Sequence, residues 1–284
     1  MKSMRIPANG IELFVEEHST AGEALLLLPY QGGQTVMWQD IIPRFTPNYR
    51  VIALDLRGFG HSDQPESGYT LDIMAEDLRA VLDHLGIDKA HFVGNSLGGD
   101  AATCFAAKYP ERALSLVNIE AALNSDTDPG ARFHGMTREE AETMLRTQYP
   151  QATYASREEY EQKFRQWEPW NLLKERAVAA AVLRETEDGR VAPKQTTAQR
   201  FEIFHDIFGR DWMEYYAKIQ CPVLFMPCDQ EAELLPQKFA NIERYSAGLP
   251  FHKTVVIPNS EHLMTFDHSD EVADEVLRFF EEAH

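Results

Sequence analysis

Val93-Gly94-Asn95-Ser96-Leu97-Gly98-Gly99 is the stretch whose reading decides the fold. A short, mostly apolar run at 90–93 leads into it, and an alanine-rich segment at 101–109 leads out. That order predicts a strand, a sharp turn and a helix, the context in which Gly-x-Ser-x-Gly forms a nucleophile elbow. The spacing has a steric cause. A serine on so tight a turn sits in a strained backbone conformation, and its neighbours must lack bulk for strand and helix to approach each other. Gly94, Gly98 and Gly99 supply that room. The hydroxyl of Ser96 then stands at the tip of a sheet and at the start of a helix. There, free N–H groups and the positive dipole end favour developing negative charge.

The rest of the chain is read outward from this turn. Residues 24–28 and 51–54 are short apolar runs, as buried parallel strands require, and 114–119 is a third. Residues 11–15 half alternate after an Asn9-Gly10 turn and read as an earlier strand. Between them, 71–85 carries a helical stripe (Met74, Leu78, Val81, Leu82, Leu85) stopped by Gly86. Strands alternating with helices predict a mostly parallel, doubly wound sheet in the α/β class. After about Asn124 the pattern changes. Residues 125–216 hold few strand-like runs, many helix formers (138–146, 172–184) and a dense set of aromatics that includes Trp167 and Trp170. Strand logic returns at 222–226 and 254–257, and a last amphipathic helix starts at Ser269. The expected organisation is a core in two parts, 1–124 and 217–284, interrupted by a helical insertion at 125–216.

Composition narrows the function classes. With 284 residues the chain can build one large core or a core plus a smaller insertion, and 44% hydrophobic residues exclude a disordered chain. The net charge of −18 argues against nucleic acid or an anionic membrane as partner, since phosphate binding needs a basic footprint. A small-molecule substrate is the expected partner, and a homodimer is left open. Cys104, Cys221 and Cys228 are widely spaced and match no metal-ligand pattern, so they read as reduced thiols of a cytoplasmic protein. No apolar run reaches the length of a membrane span, and the N-terminus lacks the apolar core of a signal peptide.

Three motifs carry a resemblance to the α/β-hydrolase family over essentially the whole chain. They are the elbow at 94–99, the loop Asp55-Leu56-Arg57-Gly58-Phe59-Gly60-His61-Ser62, and Asn259-Ser260-Glu261-His262-Leu263 before the last helix. The resemblance implies a Ser–acid–His triad with Ser96 as nucleophile and His262 as base, under a helical cap. The acid stays open between two strand ends. Many members place an aspartate in a Gly-x-x-Asp-Pro context after the strand here at 222–226, where this chain has Pro227-Cys228-Asp229-Gln230-Glu231-Ala232. Some members, including one group of haloalkane dehalogenases and fungal lactone hydrolases that open zearalenone, are similar in using a glutamate after the preceding strand. Glu120 holds that place here and is the favoured candidate, ahead of Glu231 and Asp229. The resemblance also implies an oxyanion hole from the N–H groups of Leu97 and Gln31. The common His-Gly of that loop is replaced by Pro29-Tyr30. Tyr30, Trp167 and Trp170 are the expected substrate-binding side chains, although cap aromatics can equally form the cap's own core. The expected activity is serine hydrolysis of a small, fairly apolar ester or lactone, without metal or cofactor. The alternatives are a C–C bond hydrolase for ring-cleavage diketones and a low-turnover, receptor-like member of the fold.

Overall fold

The computed structural model describes residues 1–283. The chain begins with two antiparallel strands, β1 (Lys2–Ala8) and β2 (Ile11–Glu17), whose hairpin turns at Asn9 and Gly10, both at positive φ (46° and 79°). That is the geometry an Asn-Gly pair favours. The remaining strands of the main sheet are β3 (Glu23–Leu28), β4 (Tyr49–Leu54), β5 (Ala90–Asn95), β6 (Ala113–Ile119), β9 (Val223–Met226) and the more exposed edge strand β10 (His252–Thr254). Two short strands, β7 (Leu183–Glu185) and β8 (Val191–Pro193), lie between β6 and β9 in the chain and pair only with each other. The main sheet has the order β1-β2-β4-β3-β5-β6-β9-β10, parallel from β4 to β10, with β1 and β2 antiparallel at one edge.

Alternation along each strand divides the core into two layers, because successive side chains of a strand point to opposite faces. Leu26, Leu28, Ile52, Leu54, Phe92 and Leu116 face one layer, packed with α2 (Leu71–His84) and α3 (Leu97–Lys108). Leu25, Leu27, Val51, Ala53, Val93 and Val117 face the other, covered by α1 (Ile42–Phe45) and α10 (Ser269–Ala283) through Val272, Val276, Phe279 and Phe280. A run of four leucines serves both layers at once, which explains why these strands read as unbroken apolar runs.

The structure departs from the sequence reading in several places. β1 was not anticipated. The strand expected at 254–257 lies earlier, at His252–Thr254, although the Val255 N–H still bonds the Phe225 carbonyl at 2.9 Å. The segment 125–216 forms α4 (Arg138–Gln148), α5 (Arg157–Phe164), α6 (Leu172–Ala180), α7 (Thr197–Ile207) and α8 (Met213–Tyr216). It also carries the unanticipated β7–β8 ribbon, where a helix reaching 184 was expected. Most of its aromatics pack among themselves: Phe133, Phe201 and Phe204 in one cluster, and Tyr160 with Tyr154, Phe164 and Trp170 in another. Its end behaves differently. Trp212 and Tyr216 join the main core, where the Tyr216 hydroxyl accepts from Asn118 at 2.8 Å. Acidic groups of α7 fasten the segment to the sheet domain. Glu202 accepts from the Gly68 and Tyr69 N–H groups at 2.7 and 2.8 Å, and Asp206 from that of Leu71 at 2.9 Å. They sit where the positive end of α2 favours anions.

Candidate active site

β5 ends in the expected turn. Ser96 has φ 51° and ψ −124°, a conformation L-residues rarely adopt, and it is the N-cap of α3. A strained position of this kind costs about 1–3 kcal/mol and persists only where its surroundings force it. A Cβ on Gly94 would lie 2.4 Å from the Gly99 nitrogen, and one on Gly98 would lie 2.4 Å from the Leu28 carbonyl oxygen. The second contact fixes the site, because it seats the loop after β3, Pro29-Tyr30-Gln31, directly against the start of α3. The Leu97 N–H, first in the helix, has no intrahelical acceptor and is free to meet an oxyanion. Gln31 is held by a side-chain bond to Gln195 at 3.2 Å.

His262 comes from the loop after β10. The Ser96 hydroxyl donates to its Nε2 at 3.0 Å, so serine and base stand within proton-transfer reach. Two features hold the imidazole there. Asn95, buried just before the serine, donates through its amide to the His262 carbonyl at 3.2 Å and to that of Ile119 at 2.9 Å. Asp229 accepts from the Asn259 N–H at 2.7 Å, and its own N–H donates to Ser260 Oγ at 3.3 Å. Asp229, third among the candidate acids, thus braces the histidine loop.

At the acid corner both Glu120 and Glu231 stand near the imidazole, in different surroundings. Glu231 Oε1 is the carboxylate oxygen facing His262 Nδ1, at 4.0 Å. Glu120 lies behind it, 7% exposed, with its backbone at φ 47°. Its carboxylate accepts from the Cys228 N–H at 2.6 Å and from the ammonium of Lys238. Lys238, on α9 (Leu235–Ser246), is the physical reason. It is fully buried and also bonds Glu231 Oε2 at 2.6 Å, so one cation draws both carboxylates together. Burial opposes the ammonium, but Glu120 and Glu231 more than offset it and hold Lys238 above its ordinary pKa. Sequence reading missed both Lys238 and α9. Nothing local marks this lysine, which lies 118 positions from Glu120. Among the described residues, Glu120, Glu231 and His262 are the set that brings three potential metal donors within 4.8 Å of one another. Lys238 already engages one oxygen of each carboxylate.

Ser96 and His262 open onto a pocket of about 360 Å³. Ala121, Ala122, Leu123, Ala131, Ile207, Trp212 and Leu234 give it an apolar wall, and Asp100, Glu120, Asp126 and Glu231 an acidic one, with Arg132 as the cation in the lining. Burial raises the Asp100 carboxyl to about 7, against the Ala122 N–H it accepts at 2.8 Å, and raises Asp126 to about 6. The expected substrate-binding aromatics stand elsewhere. Tyr30 and Trp167 border a separate cavity of about 60 Å³ with Phe266, and Trp170 packs beside Tyr160 in the inserted segment. Tyr30 and Trp167 pack against Phe266 and the second core layer, and Trp170 against the segment's own interior, the competing demand on any aromatic here.

No described helix is long and apolar enough to cross a membrane. The three cysteines are buried and free. Among curated proteins, the chain is 41% identical over 123 residues to a 2-hydroxy-6-oxononadienedioate/2-hydroxy-6-oxononatrienedioate hydrolase of Burkholderia vietnamiensis, covering 41% of this chain and 43% of that one. It is 34% identical over 119 residues to epoxide hydrolase 4 of Mus musculus, covering 41% and 33%. The chain thus matches under half the length of these relatives. Over nearly all its length it superposes on E-2-(acetamidomethylene)succinate hydrolase (TM-score 0.79, 22% identity, 99% of both chains). It also superposes on a thermophilic esterase from Thermogutta terrifontis (TM-score 0.71, 23% identity, 100% of both). At such identities these likenesses speak for the fold alone. A family profile described as alpha/beta hydrolase fold matches residues 23–269, and with the sheet order and the elbow already in place, the chain belongs to the α/β-hydrolase family.

Proposed function

We propose that this hydrolase cleaves a small, uncharged ester or lactone through an acyl-enzyme on Ser96. The inserted segment serves as the cap, and its Ala131, Ile207 and Trp212 supply part of the apolar wall. Ser96 Oγ attacks the carbonyl while His262 Nε2 takes its proton. The tetrahedral oxyanion meets the N–H groups of Leu97 and Gln31. His262 then protonates the leaving alkoxide, and water repeats the sequence to release the acid. Glu231 faces the imidazolium as it forms and stabilises it. Its 4.0 Å separation closes to a hydrogen bond in the substrate complex.

The observation that carries the choice of substrate is the pocket's charge: Asp100, Asp126 and the Glu120–Glu231 pair, which Lys238 offsets by one charge, stand against Arg132. A substrate with its own carboxylate would lose affinity there, whereas a neutral one meets Asp100 and Asp126 as hydrogen-bonding groups close to their titration points. The second reading, a C–C bond hydrolase for ring-cleavage diketones, is favoured by the names of relatives that act on 2-hydroxy-6-oxo dioates. Such substrates are dianions, which this lining opposes. The receptor-like reading is disfavoured by the direct Ser96–His262 contact.

The test is a matched pair of aryl esters whose acyl chains end in a methyl ester or in a free carboxylate, assayed beside simple lactones and a dienedioate. The neutral ester should exceed its anionic partner in kcat/KM by about 10²-fold, the size of one poorly screened like-charge contact. Faster consumption of the dienedioate than of any ester or lactone would replace this reading with the second.

A further inference from the structure

Behind His262 lies a group that the triad chemistry does not require. Lys238 is fully buried, comes from a helix outside the usual triad elements, and bonds two carboxylates at once. Glu120 reaches it from the end of β6 and Glu231 from the loop after β9. Cys228 Sγ completes the surroundings at 3.9 Å, its thiol kept protonated by burial, which pushes its pKa up to about 12. The two carboxylates and the ammonium carry a net charge of −1. Around them stand Ser96 and His262 on the site side, Asp100 at the head of α3, and Asp126 and Arg132 from the inserted segment.

We propose that Lys238 is a positioning residue that binds Glu120 and Glu231 into one singly charged unit and so sets both the aim of Glu231 at Nδ1 and the proton affinity of His262. The geometry supplies both halves. Lys238 takes Oε2 of Glu231, leaving Oε1 turned towards the imidazole. It also takes one oxygen of Glu120, whose other oxygen accepts from the Cys228 N–H, so both Glu120 oxygens are engaged away from Nδ1. Without the ammonium, two carboxylates would share the site. Either both stay ionised and the imidazolium gains a second anion, or one holds a proton that titrates abnormally high. In the first case the imidazole holds its proton to a higher pH than in the native protein, and in the second the charge facing it is unchanged but Glu231 has lost its anchor. The proposal rests on the hydrolase reading for its consequence in turnover, but the charge unit itself can be measured in the resting protein.

The experiment follows the ring signals of His262 by NMR titration, identified among the ten histidines by their loss in His262→Gln. Wild type is compared with Glu120→Gln, Lys238→Met and the double variant Lys238→Met/Glu120→Gln. Glu120→Gln makes the unit neutral and should lower the imidazole pKa by about one unit. Lys238→Met should raise it by about one unit, the scale of one charge several ångströms away in partly wet surroundings. The double variant restores a charge of −1 without burying an unpaired group, and should titrate as wild type does. Its kcat on a neutral aryl ester should nevertheless stay at least tenfold low, because Glu231 has lost its anchor. Should Lys238→Met not fold, the single Glu120→Gln and the double variant still decide the matter. An imidazole that titrates alike in all folded variants overturns the proposal, as does full recovery of kcat with stability in the double variant. Wild type that turns over no ester, while the titration shifts follow the pattern above, would remove the hydrolase reading and leave the charge unit standing.

Discussion

The elbow and the acid corner are both parts of one site, but they are built by different kinds of force. At the elbow the constraint is steric and local. Six consecutive residues, 94–99, hold the serine, and Gly94 and Gly98 are required because a Cβ would fall 2.4 Å from backbone atoms. At the acid corner the constraint is electrostatic and distant. Glu120, Cys228, Glu231, Lys238 and His262 come from the ends of β6 and β9, a helix and the histidine loop. Steric necessity leaves a pattern in neighbouring residues. Charge pairing leaves none, because any carboxylate that reaches the right point serves.

The largest expected effect lies at the elbow. Ser96→Ala should lower kcat by about 10⁶-fold, the scale found when a protease serine is removed, and should abolish labelling by a fluorophosphonate. Labelling that survives would put the nucleophile elsewhere and break the comparison at its first half. Next comes the acid corner. Glu231→Gln should lower kcat by about 10³-fold or more through loss of the charge that orients and stabilises the imidazolium, and Glu120→Gln by only about tenfold. The reverse order would return the acid to β6 and make the Lys238 pairing a feature of the resting state.

Smaller effects sharpen the contrast. Gly98→Ala should cost about 1–3 kcal/mol of stability, as overpacking of a tight contact does, and should lower kcat by displacing the loop that carries Gln31. Denaturant unfolding and steady-state rates read the two together, and an unchanged midpoint would show that the loop yields easily. The smallest effect concerns Asp100, which starts on the elbow helix and faces the acidic pocket. Its folded pKa is raised to about 7, so between the ordinary carboxylate range and pH 7 the folded chain holds a proton the unfolded chain has lost. That contribution to stability is present in acid and disappears as the pH rises through about 7. Asp100→Asn should therefore raise Tm at pH 8 by about 2–4 °C and by little at pH 5. Equal gains at both pH values would mean that the carboxyl is not perturbed.

How much could be read beforehand follows the same division. The run Leu25–Leu28 announced a strand buried on both faces, and Gly94, Ser96 and Gly98 announced the turn, because burial and close approach act on adjacent residues. His262 was legible from its place before the last helix. β1 escaped notice because Met4 and Ile6 alternate with exposed residues at a sheet edge, a weak signal beside the apolar runs. The aromatics misled in a physical way. Trp167 and Trp170 read as substrate walls in sequence, but Trp167 packs on Phe266 of the core and Trp170 within the inserted segment. The carboxylate nearest the imidazole was the least legible residue. Glu120 and Glu231 are alike in type and both follow strands, and Lys238, which joins them, is connected to neither by any spacing rule.

Rapid-quench mass spectrometry on a neutral p-nitrophenyl ester tests the central claim most directly. A burst of p-nitrophenol should accompany a mass increase equal to the acyl group, confined to the peptide that carries Ser96 and absent from Ser96→Ala. Turnover of the ester with the acyl group on another residue, or with no acylated peptide at any time while Ser96→Ala stays active, would contradict it.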